Sequence, residues 1–225
     1  MSGYSDEELD EMEQATRDDL EYKPLWIAVD GVDGAGKGVV IDILQELLDT
    51  KTDVIPAIGN TPSTANIPLR NACKNNTLTD TIKPIAICML IVESYNKACL
   101  SLIQGRNVLH DRYIGSFYAY NYLDSDQKNT NELYTSILNS KTMMPNSPDL
   151  HIYVTADNDV ISNRMICRDD CGALDKKVLA NLDEYKRRYA QYYAYEVNEP
   201  VHMVENNGSI GQLTNKLIKI LGEHL

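Results

Sequence analysis

Residues 25–38 read LWIAVDGVDGAGKG. The apolar run Trp26–Val29 passes directly into Gly31, Gly34 and Gly36, and then Lys37. Glycines at this spacing let successive backbone N–H groups turn inward onto an anion, and the lysine after them reaches the outer oxygens of a phosphate chain. Val39, Val40, Ile43, Leu44, Leu47 and Leu48 then recur at helical spacing. The loop therefore stands at a strand-to-helix turn, with the positive end of the helix facing the same place. The cradle takes in Gly31, Asp33, Gly34, Ala35, Gly36, Lys37, Gly38 and Val39. Gly38 is odd, because most such loops carry there the Ser or Thr that holds Mg²⁺. A glycine-rich turn without a ligand is the competing reading of a bare motif.

Outward from the loop, strands and helices alternate. Apolar runs predict strands at 25–30, 53–57, 107–110, 149–154 and 200–204. Periodicity predicts helices at 37–49, 64–74, 81–104, 116–124, 130–140, 157–167, 176–196 and 210–222. Short apolar strands between helices imply an α/β three-layer sandwich with a five-stranded parallel sheet, which binds ligands at the carboxyl ends of its strands. Residues 124–131 and 141–148 read as surface loops. Residues 1–22 form an acidic arm, helical or partly disordered, in which Ser5 and Glu8 make a capping box; residues 23–225 form the main domain.

The chain has 225 residues, is 43% hydrophobic and carries a net charge of −12. That charge speaks against broad binding to a nucleic-acid backbone. No apolar run is taken to approach membrane-spanning length, and the N-terminus has no signal-peptide h-region, so a cytoplasmic protein without a membrane partner is expected. The five cysteines (Cys73, Cys88, Cys99, Cys167 and Cys171) are odd in number and scattered, and read as reduced thiols rather than a disulfide framework or a zinc site. Tyrosine is abundant, with 14 Tyr against a single Phe. Tyr185, Tyr189 and Tyr193 share one helix face, where rings would pack in the core or a dimer while hydroxyls reach water or a partner.

The third strand runs into a second motif, HDRYIGSFYAYN at 110–121. It resembles the D-R-Y-x-x-S-x-x-A-Y-Q signature of thymidylate kinases, with Asn121 in place of the final Gln. The loop segment VDGAGK, the stretch PDLHIYVTADNDVISNRMICR and the weaker DEYKRRYAQYY are similar to further parts of that family. The resemblance covers about residues 25–224. It implies the P-loop nucleoside monophosphate kinase fold with a short lid at about 164–176, a homodimer, ATP and Mg²⁺ as cofactors, and a nucleotide substrate.

The resemblance also implies roles. Lys37 and the loop N–H groups would hold the donor phosphates, and Arg112 would clamp the acceptor phosphate or bridge the two. Asp111 would act on Mg²⁺ through water. Asp33 would bind the sugar 3′-hydroxyl, while Ser116, Tyr120 and Asn121 lie where the family reads the base. The loop carries no arginine, a pattern that in this family goes with a lid supplying the catalytic charge, which favours Arg168 and then Arg164. Plainer readings compete: a strand-end ion pair for Asp111 and Arg112, a solvent-facing pair for Arg164 and Arg168, a turn residue for Asp33, core packing for Tyr120. The chemistry itself needs alignment and positive charge more than a base, since a monophosphate oxygen is already an anionic nucleophile.

Three departures bear on the substrate. Val39 supplies no hydroxyl to replace the one missing at Gly38. The acceptor-phosphate segment, Gly59-Asn60-Thr61-Pro62-Ser63, lacks its leading arginine, leaving Arg70 on the next helix as the candidate. No arginine occurs between Arg70 and Arg106, where the family carries one beside thymine; Glu93, Ser94, Tyr95 and Asn96 stand in that neighbourhood. The expected enzyme is a divergent kinase of dTMP or of another, modified deoxynucleoside monophosphate, of a kind suited to a phage or virus. A kinase acting on a hydroxyl of a deoxynucleoside or hydroxymethylated base is the first alternative, and an inactive nucleotide-binding regulator the second.

Overall fold

Alternation along β1 (Trp26–Asp30) organises the molecule. A strand's side chains point to opposite faces in turn. Leu25, Ile27 and Val29 enter one core cluster, Trp26 and Ala28 the other. Every residue of β1 is buried, as a central strand covered on both faces requires.

The computed structural model describes residues 23–48, 51–56, 66–74, 77–79, 82–121, 132, 136, 144–167 and 173–224. The other strands are β2 (Thr52–Ile55), β3 (Asn107–Asp111), β4 (Leu150–Thr155) and β5 (Val201–Glu205). They form one parallel sheet in the order β2-β3-β1-β4-β5, with Ala28 opposite His110 on one side and His151 on the other. The strand order reverses beside β1, so the crevice that such sheets use for ligands opens at its carboxyl end.

The helices are α1 (Lys37–Leu47), α2 (Asn66–Lys74), α3 (Ile82–Ile103), α4 (Ile114–Asn121), α5 (Asn158–Ile166), α6 (Ala173–Leu179), α7 (Leu182–Tyr195) and α8 (Ile210–Gly222). α1, α5, α7 and α8 supply one core cluster with Val40, Leu44, Ile161, Tyr189 and Leu217; α3 supplies the other with Cys88, Ile91, Tyr95 and Ala98.

The five expected strands are all present. One helix differs: the continuous helix expected over 176–196 is two, α6 and α7. Asn181 takes φ −136° and its side chain donates to the carbonyl of Lys177 at 2.9 Å. An Asn amide competes for backbone groups in this way and ends the helix where it does so. The arm at 1–22, the loop expected at 124–131 and the helix expected at 130–140 fall outside the described residues, apart from residues 132 and 136; of the loop expected at 141–148, residues 144–148 are described and hold neither helix nor strand. A second expectation is corrected. The stretch Ile85–Ile103 of α3 is long and apolar enough to cross a bilayer, and 44% of it is buried inside this fold. Cys73, Cys88, Cys99 and Cys167 are free thiols, as expected.

Candidate active site

The loop leaving β1 depends on glycine at Gly31, where a Cβ would lie 2.2 Å from the carbonyl oxygen of Val154, and at two further places. Gly36 has φ +96°, and a Cβ there would lie 2.1 Å from Asn206 Nδ2. Gly34 has φ +82°, and its Cβ would meet Met165 at 2.7 Å. Both are left-handed conformations in which a side chain is strained. Gly36 is also the N-cap of α1, so no side chain bonds the first turn, and no acidic residue stands in that turn. The free N–H groups of the helix start thus face the loop's concavity, an arrangement suited to an anion.

Lys37 is buried and donates to the carbonyl of Val32 at 3.1 Å. Burial, with the Arg112 guanidinium beside it, brings its ammonium down to about 7, against the opposing pull of Asp33, Asp111 and Asp30. Desolvation outweighs the three carboxylates nearby, and an entering polyphosphate would favour the charged ammonium.

Arg112 follows the last residue of β3 with φ +66°, an uncommon conformation for a side-chain-bearing residue. Its N–H is pinned to the carbonyl of Val29 at 2.9 Å. The turn throws the guanidinium back over the loop. There it donates to the carbonyl of Gly31 (3.2 Å) and Ser116 Oγ (3.3 Å), and pairs with the Asp33 carboxylate. Burial acts to lower its pKa, yet Asp33 holds it charged, with its pKa above the ordinary value. The Tyr120 ring lies 5.5 Å from the guanidinium carbon. Tyr120's hydroxyl donates to Asp33 at 3.0 Å and accepts from the Asp33 backbone at 3.2 Å. The loop and the DRY segment, 79 residues apart in the chain at Asp33 and Arg112, therefore meet through one network of Asp33, Arg112, Ser116 and Tyr120.

Sequence reading missed what stands beneath that network. Asp30 is fully buried and accepts from the N–H groups of Tyr113 (3.1 Å) and Ser116 (3.0 Å), from the Ser116 hydroxyl, and from the Tyr193 hydroxyl (3.1 Å). Tyr189 donates to the carbonyl of Gly31 at 3.1 Å and lies 2.8 Å from Ser116 Oγ. The tyrosine stripe of α7 is core packing, as expected, with Tyr189 stacked on Tyr153 at 5.3 Å. The hydroxyls of Tyr189 and Tyr193 point into the loop network, however, not to water or a partner. An acid closing an apolar strand was the available signal for Asp30; nothing in the spacing of the tyrosines singled out their hydroxyls.

Arg164, on the last turn of α5, is not a solvent-facing charge. It donates to the carbonyls of Asn206 (2.9 Å), Ala35 (3.3 Å) and Gly34 (3.4 Å). Asn206 after β5 also went unremarked; its amide donates to Ala35 at 3.0 Å and backs the loop from behind. Arg168 and the 57–65 segment lie outside the described residues, and Asn121 is described only in its backbone, at the end of α4. Arg70 is half-buried on α2, which packs on α3. Ser116 is buried beneath Arg112 and supports it. Gly38 is exposed, and a Cβ there would meet nothing within 4 Å. The missing hydroxyl is therefore not excluded by space.

The neighbourhood expected beside the base also needs correction. Tyr95 packs on Trp26 at 5.6 Å, at the far end of β1 from the loop. Ser94 bonds back to the carbonyl of Leu90 at 3.0 Å, and Glu93 pairs with Lys97 at 3.4 Å. α3 runs antiparallel to the strands, so this part of it has already descended past the crevice.

A family model described as thymidylate kinase matches residues 29–217, spanning both the loop and the DRY segment. The chain belongs to the thymidylate kinase family. Among its relatives, the thymidylate kinase of Mycoplasma pneumoniae is 28% identical over 200 residues, covering 84% of this chain and 90% of that one. The thymidylate kinase of Francisella philomiragia is 24% identical over 210 residues, covering 88% and 98%. Two solved structures share the P-loop kinase fold. Thymidylate kinase from Candida albicans superposes with a TM-score of 0.65 at 19% identity, over 89% of this chain and 92% of that one. Deoxyadenosine kinase from M. mycoides, solved with dATP bound, gives 0.60 at 15% identity, over 88% and 100%.

Proposed function

We propose that this member of the thymidylate kinase family transfers the γ-phosphoryl group of ATP to the 5′-monophosphate of a deoxynucleoside, dTMP or one resembling it. The supporting observation is the convergence of Lys37 and Arg112 across the loop. A buried cation brought down to about 7 and a half-buried guanidinium beside it suit two phosphate chains meeting end to end. The loop N–H groups and Lys37 hold the donor, and Arg112 holds the acceptor phosphate against it. An acceptor oxygen attacks the γ-phosphorus in line, the bond to the bridging oxygen breaks, and ADP leaves with that electron pair. No protein base is required, because the attacking oxygen is already anionic. Arg164 adds positive charge beside the loop, Asp33 takes the acceptor sugar and Tyr120 the base, and to Arg168 and Asn121 we assign the lid and base roles that the family resemblance implies.

Mg²⁺ fits this donor set. It binds through one or two carboxylates and phosphates while keeping several waters. Asp111 at the end of β3 would hold it through water, and among the described residues there is no cluster of three or more metal-binding side chains that would suggest a dedicated all-protein cage. When bound, the ion neutralises charge on the β- and γ-phosphate oxygens.

A homodimer is supported by α3. Ile82, Met89, Leu100 and Ile103 are 49%, 63%, 59% and 82% exposed, and at 100° per residue they fall within about 60° of one stripe. A second copy of the chain is the partner we assign to it. Free thiols at Cys73, Cys88, Cys99 and Cys167 support a cytoplasmic location.

Incubation with ATP, Mg²⁺ and a panel of deoxynucleosides and their monophosphates tests the reading. ADP formed only with monophosphates, and lost in Lys37→Ala, is the expected result; the panel also reads the base. Turnover confined to nucleosides overturns it.

A further inference from the structure

Beside the start of β4 and the turn entering β5, a cavity of about 220 Å³ opens against Tyr113 and the first residue of α4. Its inner wall is Tyr113, His151 and Tyr192, which are 3%, 2% and 6% exposed. Nδ1 of His151 has no hydrogen-bond partner among the described residues. A buried polar group left unpaired costs roughly 1–3 kcal/mol, and folded proteins leave few of them.

The mouth carries Glu196 and Glu199, with Ser147 and Asn198 beside them. Burial acts against ionisation of Glu199, but hydrogen bonds from Ser147 and the backbone hold its pKa below the usual value. Burial likewise keeps the His151 imidazole neutral at physiological pH. Among the described lining residues there is no Lys or Arg. The cavity thus joins aromatic walls to two carboxylates with no built-in counter-ion. Aromatic faces attract cations, and carboxylates give charge-assisted hydrogen bonds to ammonium and guanidinium groups. Its volume is below the ~300–1,000 Å³ of drug-sized pockets, which limits the ligand to a small one.

We propose that this cavity binds a small organic cation, an alkylamine or alkylguanidine, with its charge at Glu196 and Glu199 and its body between Tyr113, Tyr192 and His151. No residue of the phosphate loop lines the site, and the inference is independent of the acceptor nucleotide.

Titration calorimetry on the full chain tests it, with 1,4-diaminobutane and 4-guanidinobutylamine as cations, 1,4-butanediol as the neutral control and succinate as the anion. Saturable binding of one cation per chain is expected, unaffected by saturating ATP and not seen with the diol or succinate. Glu196→Gln, at an exposed position, weakens it by about tenfold, the range of one charge-assisted hydrogen bond. Ser147→Trp, also at an exposed position, obstructs the mouth and abolishes it. Glu223→Gln, at an exposed acid that does not line the cavity, leaves it unchanged. Cation binding no tighter than that of the diol, displacement by ATP, or equal loss in Glu223→Gln overturns the proposal.

Discussion

Lys37 is the residue through which pH should act. In the free protein its ammonium titrates near 7, against an ordinary 10.5. Between those values the unfolded chain binds more protons than the folded one, so stability rises with pH across that window, by at most about 1.4 kcal/mol per unit. Phosphate binding favours the charged form and reverses this. ATP binding at pH 8 should therefore take up close to one proton, and affinity should fall as pH rises above 7. Calorimetry in two buffers of different ionisation enthalpy reads the uptake directly; none at pH 8 would remove Lys37 from phosphate binding.

Gly38 carries the second residue-scale prediction. It is exposed, helical and unopposed within 4 Å. Gly38→Ser should stabilise the protein by about 0.5 kcal/mol through helix propensity. It should also lower the Mg²⁺ concentration for half-maximal turnover severalfold, by restoring a hydroxyl beside Lys37. An unchanged Mg²⁺ dependence would mean the ion never approaches this turn.

Among the elements, α7 decides most about the site. It stacks on β4 through Tyr189 and Tyr153, and sends two hydroxyls beneath the loop. Tyr189→Phe keeps the ring packing and removes the donor to Gly31. The expected result is a loss of about 1 kcal/mol of stability and a kcat about tenfold lower, with the KM for ATP little changed, because the loop stays formed while Arg112 loses its support. An unaltered kcat in a stable variant would make Tyr189 packing alone. The strands were legible at this scale because each is a short apolar run bounded by polar residues. The break at Asn181 was not, because the apolar spacing of Val178, Leu182, Tyr185 and Tyr189 continues smoothly across a point where one side-chain amide captures a carbonyl.

For the whole molecule, the α3 stripe predicts association. Sedimentation should find a dimer, and Met89→Glu with Leu100→Glu should shift it to monomer without unfolding, since both positions are exposed in the single chain. A wild-type monomer at assay concentration would leave the stripe unexplained by self-association. The same helix shows how a bulk reading misleads: its hydropathy suits a bilayer, yet half of its circumference is the cover of a sheet.

Local chemistry sufficed for the loop, the DRY segment, the strand count and the family, because phosphate binding at a strand-to-helix turn demands glycines and a lysine within a few residues of one another. Those demands are written in consecutive positions. Tertiary structure alone decided that Asp30, Tyr189, Tyr193 and Asn206 serve the loop, that Arg164 grips its carbonyls, and that the 93–96 stretch lies away from it. These are meetings between residues far apart in the chain, set by how helices of given length lie across a twisted sheet. No local pattern encodes such distances.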